Sequence, residues 1–264
     1  MSDTVPGLGP APLAGRVAIV SGAAGLYGRH ISDALAVAGA HVVLAARDVA
    51  ACQGVADALA DRGLSAEAAS LDLASEESIV ALAAGVAERH GRIDVLVNNA
   101  VARAGLDIPR TTADDWDTTS AVNSRGLFLI TREVGAVMVG AGSGSIVNIG
   151  SMYGMVGPDF GIYGSTGMTS PAFYAYDKGG MIGFTRYAAS FYGRHGIRVN
   201  CLSPGGLETE DHNPEFLANY RARVPLGRLA DHDDIKGPVV FLASDASRYV
   251  TGANLPVDGG WTAI

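Results

Sequence analysis

Short apolar runs recur along the chain, each followed by a stretch in which apolar positions return every three or four residues. RVAIVSG (16–22), HVVLAA (41–46), IDVLVNNA (93–100), GSIVNIGS (144–151) and GIRVNCLSP (196–204) read as buried strands. Weaker strands are expected at 66–71 and 254–257. Helical periodicity covers 26–39, 49–62, 75–90, 114–139, 172–194 and 231–244. The third of these helices opens on Ser75-Glu76-Glu77-Ser78 and the last on Asp231, both N-terminal signals. Strands alternating with helices imply parallel strands joined by right-handed crossovers, with helices on both faces. The expectation is one doubly wound α/β domain with a parallel sheet of about seven strands. It spans 15–264, behind a loose Pro/Gly/Ala-rich arm at 1–14.

Composition narrows the function classes. Hydrophobic residues make up 48% of the 264 and charged ones 17%, enough for a core and too apolar for disorder. The formal net charge of −8 gives no general basic face for nucleic acid. Two cysteines, Cys52 and Cys201, make neither a disulfide framework nor a zinc cluster, and fit a reducing, cytoplasmic setting. The first fifteen residues lack the basic and apolar regions of a signal peptide, and no apolar run reaches membrane-spanning length. Glycine, at 35 residues, is about twice its usual share and marks tight turns and close backbone approaches.

Two local patterns carry chemistry. Ser21-Gly22-Ala23-Ala24-Gly25-Leu26-Tyr27-Gly28 joins the first strand to the first helix, where small residues and helix N-terminal amides suit a diphosphate. Asn98-Asn99-Ala100, Ser151 and Ser203-Pro204-Gly205-Gly206 also follow strands, so all gather at the carboxyl rim of the sheet, where open α/β folds bind ligands. The second pattern is Tyr174-Ala-Tyr-Asp-Lys178. The i, i+4 spacing puts the phenol and the ammonium on one helix face, where the cation favours the phenolate and makes Tyr174 a usable acid/base. Nine tyrosines and two lysines predict only about 0.07 such pairs by chance. Of 19 basic residues only Lys178 and Lys236 are lysine, so a compact ammonium stands at 178 in a chain that otherwise uses arginine.

With these residues in order, the chain resembles the short-chain dehydrogenase/reductase family in its single-domain, Rossmann-type form, over about residues 13–264. The motifs are SGAAGLYG, Asp72, NNA at 98–100, Asn123 in VNSRG, Ser151, YAYDK, SPGG at 203–206 and the closing VTGANLPVDGGW. The resemblance implies an oxidoreductase that interconverts a secondary alcohol and a ketone with a nicotinamide cofactor. It implies a tetrad in which Tyr174 exchanges a proton with the substrate oxygen and Ser151 holds that oxygen. Lys178 binds the nicotinamide ribose and lowers the tyrosine pKa, and Asn123 holds a water linking Lys178 to solvent. It also implies cofactor contacts from Ser21, Gly22, Ala24, Leu26, Tyr27, Gly28, Arg47, Asp72, Leu73, Asn99, Ala100, Pro204, Gly205, Leu207 and Thr209, and a homotetramer. Asp72 would meet the adenine edge.

Three departures stand out. Leu26 replaces the usual middle glycine of the first turn, and Val101 follows NNA where glycine is usual. The span from Ser151 to Tyr174 is long, and residues 152–170 should stand over the site mouth. Tyr153, Phe160, Tyr163 and Thr166 there are candidates to stack on and hydrogen-bond a sugar, polyol or sugar derivative; the other reading is an insertion that packs on a neighbouring subunit. His212, beside Glu210-Asp211, is a further substrate candidate within an exposed polar flap.

At the end of the second strand Ala46 stands where an acidic residue selects NAD, and Arg47 follows, which suits a 2′-phosphate. This favours NADP(H) over NAD(H), although Asp48 lies one position further on and Arg47 can also stack on adenine. Asp231-His232-Asp233-Asp234 reads as helix capping, and the other histidines are scattered in sequence, so no metal site is expected. Two alternatives remain: an epimerase or dehydratase acting on a nucleotide sugar with retained cofactor, and a non-catalytic dinucleotide-sensing protein.

Overall fold

The computed structural model describes residues 9–264. Seven parallel strands form one sheet: β1 (Val17–Ser21), β2 (His41–Ala46), β3 (Ala66–Ser70), β4 (Val95–Asn98), β5 (Gly144–Ile149), β6 (Ile197–Pro204) and β7 (Asn254–Val257), in the order β3-β2-β1-β4-β5-β6-β7. The chain turns back between β1 and β4, which opens a crevice at their carboxyl ends. All seven expected strands are present.

The helices are α1 (Leu26–Val37), α2 (Val49–Ala60), α3 (Glu76–His90), α4 (Ala113–Ser120), α5 (Leu127–Ala141), α6 (Ala172–Tyr192), α7 (Pro214–Arg223) and α8 (Lys236–Ala243). Residues of β1 alternate between two cores. Ala18 and Val20 pack with Ile31, Leu35 and Val239, whereas Val17 and Ile19 pack with Ile79, Val86, Ile130 and Val134. Each large apolar side chain buried this way stabilises by about 1.5–3 kcal/mol. Among the described residues no helix is long and apolar enough to cross a membrane.

Ends follow local chemistry. The Ser75 side chain accepts from the Ser78 amide, Glu76 and Glu77 sit in the first turn of α3, and Gly91 closes the helix at φ +71°. Asp48 caps α2 by accepting from the Ala51 amide at 2.9 Å.

Four expectations need correction. The helix expected at 114–139 is helical from 113 to 141 but carries a π turn over Ala121–Gly126 that the period did not foretell. There a Cβ on Gly126 would lie 2.5 Å from the Leu73 carbonyl oxygen, so the chain passes too close for any side chain. The helix expected from 231 begins only at Lys236, because the Asp231 carboxylate turns back onto the amides of Asp233 and Asp234 at 2.8 and 3.2 Å. The flap expected after SPGG contains α7. Its signal was in the sequence: Asn213 accepts from the Glu215 amide, and Pro214 fills the first helical position. Of the expected arm, residues 1–8 lie outside the described residues, but Leu13 is 1% exposed and its amide donates to the Ala38 carbonyl. The packed chain thus includes residues placed in the arm.

Candidate active site

The carboxyl ends of β1 and β4 are locked together by one hydroxyl. Ser21 Oγ accepts from the amides of Asn99 and Ala100 at 3.0 and 3.1 Å and donates to the Val97 carbonyl. Asn99 Nδ2 donates to the carbonyls of Ser21 and Gly22, both at 3.0 Å. Gly22 stands at φ +65°, and a Cβ there would come 2.9 Å from Ala100 Cα. Gly28 is tighter still: its Cβ would meet the Gly22 carbonyl oxygen and the Ala23 backbone. This turn delivers the chain into α1, whose N-terminus has no side-chain cap and no acidic residue in its first turn. Its first amides are free for an anion, as a diphosphate requires.

The remaining cofactor candidates line the same rim. Tyr27 Oη donates to the Gly205 carbonyl at 3.1 Å, and burial pushes its phenol well above the usual range. Arg47 is exposed and its guanidinium has no hydrogen-bond or ion-pair partner among the described residues. The Asp72 carboxylate accepts from the Ala74 amide. Pro204 ends β6, Leu207 bridges to Ala230, and the Thr209 amide donates to His212 Nδ1. Leu26 begins α1 half exposed, directly after Gly25 at the N-cap. Val101, the second departure, puts an isopropyl group into the wall of the cavity described next.

A single cavity brings together Asn123, Tyr174 and Lys178, with Asn98, Val101 and Asp177 in its wall. Lys178 is buried at the second turn of α6; its Nζ donates to the Ile149 carbonyl at 2.6 Å and lies 5.8 Å from the Tyr174 ring centre. Burial lowers its proton affinity. Ser151 lies two residues beyond Ile149 and accepts from the Tyr153 amide at 3.2 Å. The 3-10 turn that follows, Met152–Gly154, rests on α6: a Cβ on Gly154 would lie 2.6 Å from the Lys178 carbonyl oxygen. β5 and α6 therefore fix Ser151 and Lys178 against each other.

Asn123 sits inside the π turn. Its Oδ1 accepts from the Ala102 amide at 2.8 Å, and its Nδ2 donates to the Ala102 carbonyl and to Asp177 Oδ2 at 3.0 and 2.8 Å. Both Nδ2 hydrogens and one lone pair of Oδ1 are thus used within the protein. Asp177 also accepts from Ser124 Oγ at 3.1 Å. Sequence reasoning passed over this buried carboxylate, although it stands within the YAYDK motif itself. It also passed over Arg103, whose guanidinium carbon lies 5.8 Å from the Tyr174 ring centre and which has no hydrogen-bond or ion-pair partner among the described residues.

The substrate candidates fare differently. Tyr153 and Tyr163 are 8% and 9% exposed and join Phe216, Tyr220 and Trp261 in a satellite core; Tyr163 stacks on Phe216 with ring centres 6.0 Å apart. Burial raises the proton affinity of both phenols. Thr166 Oγ1 donates to the Tyr163 carbonyl, and His212 accepts from the Thr209 amide and lies against Phe216. Tyr153 and Tyr163 are packed into this core, which also touches Tyr174, while Thr166 and His212 hold turns and stay half-buried. The physical reason is α7: once it forms, the apolar face of the 152–170 segment has a partner within its own chain. Phe160 stays 57% exposed.

Residues 22–262 match a family model described as enoyl-(acyl carrier protein) reductase. The D-threitol dehydrogenase of Mycolicibacterium smegmatis is 35% identical over 255 residues, covering 95% of this chain and 94% of that one. The 3-oxoacyl-[acyl-carrier-protein] reductase of Vibrio cholerae is 34% identical over 256 residues, covering 96% and 99%. A gluconate 5-dehydrogenase from Burkholderia cenocepacia, solved with NADP and tartrate, superposes with a TM-score of 0.88 at 32% identity, covering 97% of this chain and 98% of that one. Fold order, the two rim motifs and these relatives agree, and the chain belongs to the short-chain dehydrogenase/reductase family of NAD(P)-dependent oxidoreductases.

Proposed function

We propose that the protein interconverts the secondary alcohol and ketone of a polyhydroxylated small molecule, with NADP(H) as the preferred cofactor and Asn123, Ser151, Tyr174 and Lys178 as its catalytic set. The observation that carries this is the cavity in which Tyr174 and the buried, anchored Lys178 meet at the carboxyl ends of the strands. When bound, the dinucleotide supplies or accepts the hydride. Tyr174 Oη holds and returns the proton of the reacting oxygen. Ser151 hydrogen-bonds that oxygen and orients it. Lys178 keeps a positive charge beside the phenol, held in place by the Ile149 carbonyl. Asp177 positions Asn123 at the inner end of the cavity.

The first turn fits a dinucleotide on the closeness of Gly22 and Gly28 to neighbouring backbone and the open N-terminus of α1. Asp48 is occupied as the cap of α2, which leaves Arg47 as the free charged group at the end of β2 and supports a 2′-phosphate. NADPH is expected to bind at least tenfold tighter than NADH, and Arg47→Ala to remove most of that preference, as read by fluorescence titration. Equal binding of the two cofactors would overturn this assignment.

Arg103 supports a substrate that carries a carboxylate beside its hydroxyls, since an unpaired guanidinium over the reacting tyrosine suits an anion. The gluconate 5-dehydrogenase neighbour and its tartrate fit the same chemistry. With aldonates and alditols of equal length, Arg103→Ala is expected to lower the acid-to-polyol ratio of kcat/KM about ten- to hundredfold. An unchanged ratio would sink the carboxylate reading. The apolar side chains Phe128, Tyr187 and Phe191, 46–68% exposed on α5 and α6, support a homotetramer, and the two buried free cysteines support a reducing, cytoplasmic compartment.

A further inference from the structure

At the opposite end of the sheet, the fold gathers histidines that are far apart in sequence. His41 begins β2, Glu67 lies on β3 and His90 ends α3. We propose that His41, Glu67 and His90 form a binding site for one divalent transition-metal ion of the zinc type.

The ligand atoms are already close. Glu67 Oε1 lies 3.3 Å from His90 Nε2, and Glu67 Oε2 lies 4.0 Å from His41 Nε2. One ligand atom from each residue can be chosen so that all three lie within 4.8 Å of one another. Zinc bonds of about 2.0–2.2 Å in tetrahedral geometry place ligand atoms about 3.5 Å apart, so closure shortens the separations by no more than about 1.3 Å. Two imidazoles and one carboxylate, with a fourth position left to water, suit zinc, nickel or copper better than magnesium or calcium.

A second, independent observation points the same way. His41 Nδ1 lies 2.7 Å from Ser65 Oγ. With the proton on Nδ1 and donated to Ser65, Nε2 carries the lone pair. That Nε2 is buried and has no hydrogen-bond partner. A histidine oriented through one nitrogen by a polar neighbour, with its other nitrogen free, is the arrangement metal-binding histidines take. The rings of His41 and His90 lie with centres 4.5 Å apart, so the two imidazoles already share one place.

Arg89 competes for the site, because its Nη2 donates to Glu67 Oε1 at 2.8 Å. Its side chain is 50% exposed, so this pair is weak and gives way at little cost. The ion would tie the β2–β3 edge to the end of α3. The site is a stabilising one, remote from the carboxyl-rim cavity.

The test uses tag-free protein stripped with a chelator and titrated calorimetrically with Zn²⁺, with Co²⁺ absorption as a geometric readout. The expected result is one ion per chain, a Tm that rises with zinc, and at least tenfold weaker binding in His41→Ala and in His90→Ala. Arg89→Ala is expected to bind zinc more tightly, an effect that mere loss of packing does not produce. The other histidine pair, His30 and His232, has ring centres 5.1 Å apart and serves as the control, so His30→Ala should leave affinity unchanged. No saturable binding at micromolar zinc, equal affinity in the His41 and His90 variants and the parent, or no gain with Arg89→Ala would overturn the proposal.

Discussion

Tyr174→Phe is expected to lower kcat by about a hundred- to ten-thousandfold while leaving dinucleotide affinity within a few-fold of the parent. The substitution removes one oxygen and keeps the ring. The packing of Tyr174 beside Phe173 and Arg103 therefore survives, as does the bond from Lys178 to Ile149. What is lost is the group that holds the proton of the reacting oxygen. Without it that proton must come from water, which is held in no fixed position to deliver it. The measurement pairs steady-state rates with fluorescence titration of NADPH. Turnover that survives in the phenylalanine variant would remove Tyr174 from the chemistry. Loss of cofactor binding would instead make it a binding residue.

Gly28→Ala is expected to have the next largest effect, and on a different quantity. Gly28 has no positive φ, so it is needed for space alone. An added methyl meets the Gly22 carbonyl oxygen at 2.1 Å and Ala23 backbone atoms at 2.9 Å, and backbone cannot rotate away as a side chain can. The turn must open, moving the amides that start α1 away from the edge of β4. Dinucleotide affinity should fall more than tenfold, and stability by about 1–3 kcal/mol, the usual cost of overpacking. Gly25→Ala is the matched comparison: its methyl would stand 3.2 Å from the same oxygen, so a smaller loss is expected. Chemical denaturation and NADPH titration of both variants check this, and equal losses in the two would refute the close-approach argument.

Features set by period and spacing were legible in the sequence. β1, β2 and β4–β6 are continuous apolar runs because both their faces are covered. The i, i+4 spacing of Tyr174 and Lys178 translated directly into one helix face. Features that depend on what a segment packs against were not legible. Tyr153 and Tyr163 look exposed until α7 supplies Phe216 and Tyr220 as partners. The π turn leaves no mark in a helical period, because it answers to the carbonyl of Leu73 some fifty positions earlier. Asp177 was overlooked because its role depends on two side chains, Asn123 and Ser124, on another helix. The pairing of His41 with His90 is likewise set by strand register and the end of α3, which spacing along the chain does not reveal.

The 152–170 segment is stapled to α7: the Ser165 amide and hydroxyl both donate to the Glu215 carboxylate, at 2.9 and 2.6 Å. Asn219 donates to the Ile162 carbonyl, and Tyr163 lies flat on Phe216. For anyone seeking to transplant selectivity between family members, this makes the two segments one exchangeable cassette. A loop moved alone leaves Phe216 and Tyr220 bare and the Glu215 carboxylate without its donors. A graft that carries 152–170 together with 213–223 keeps the interface whole and lets the mouth of the site be redrawn.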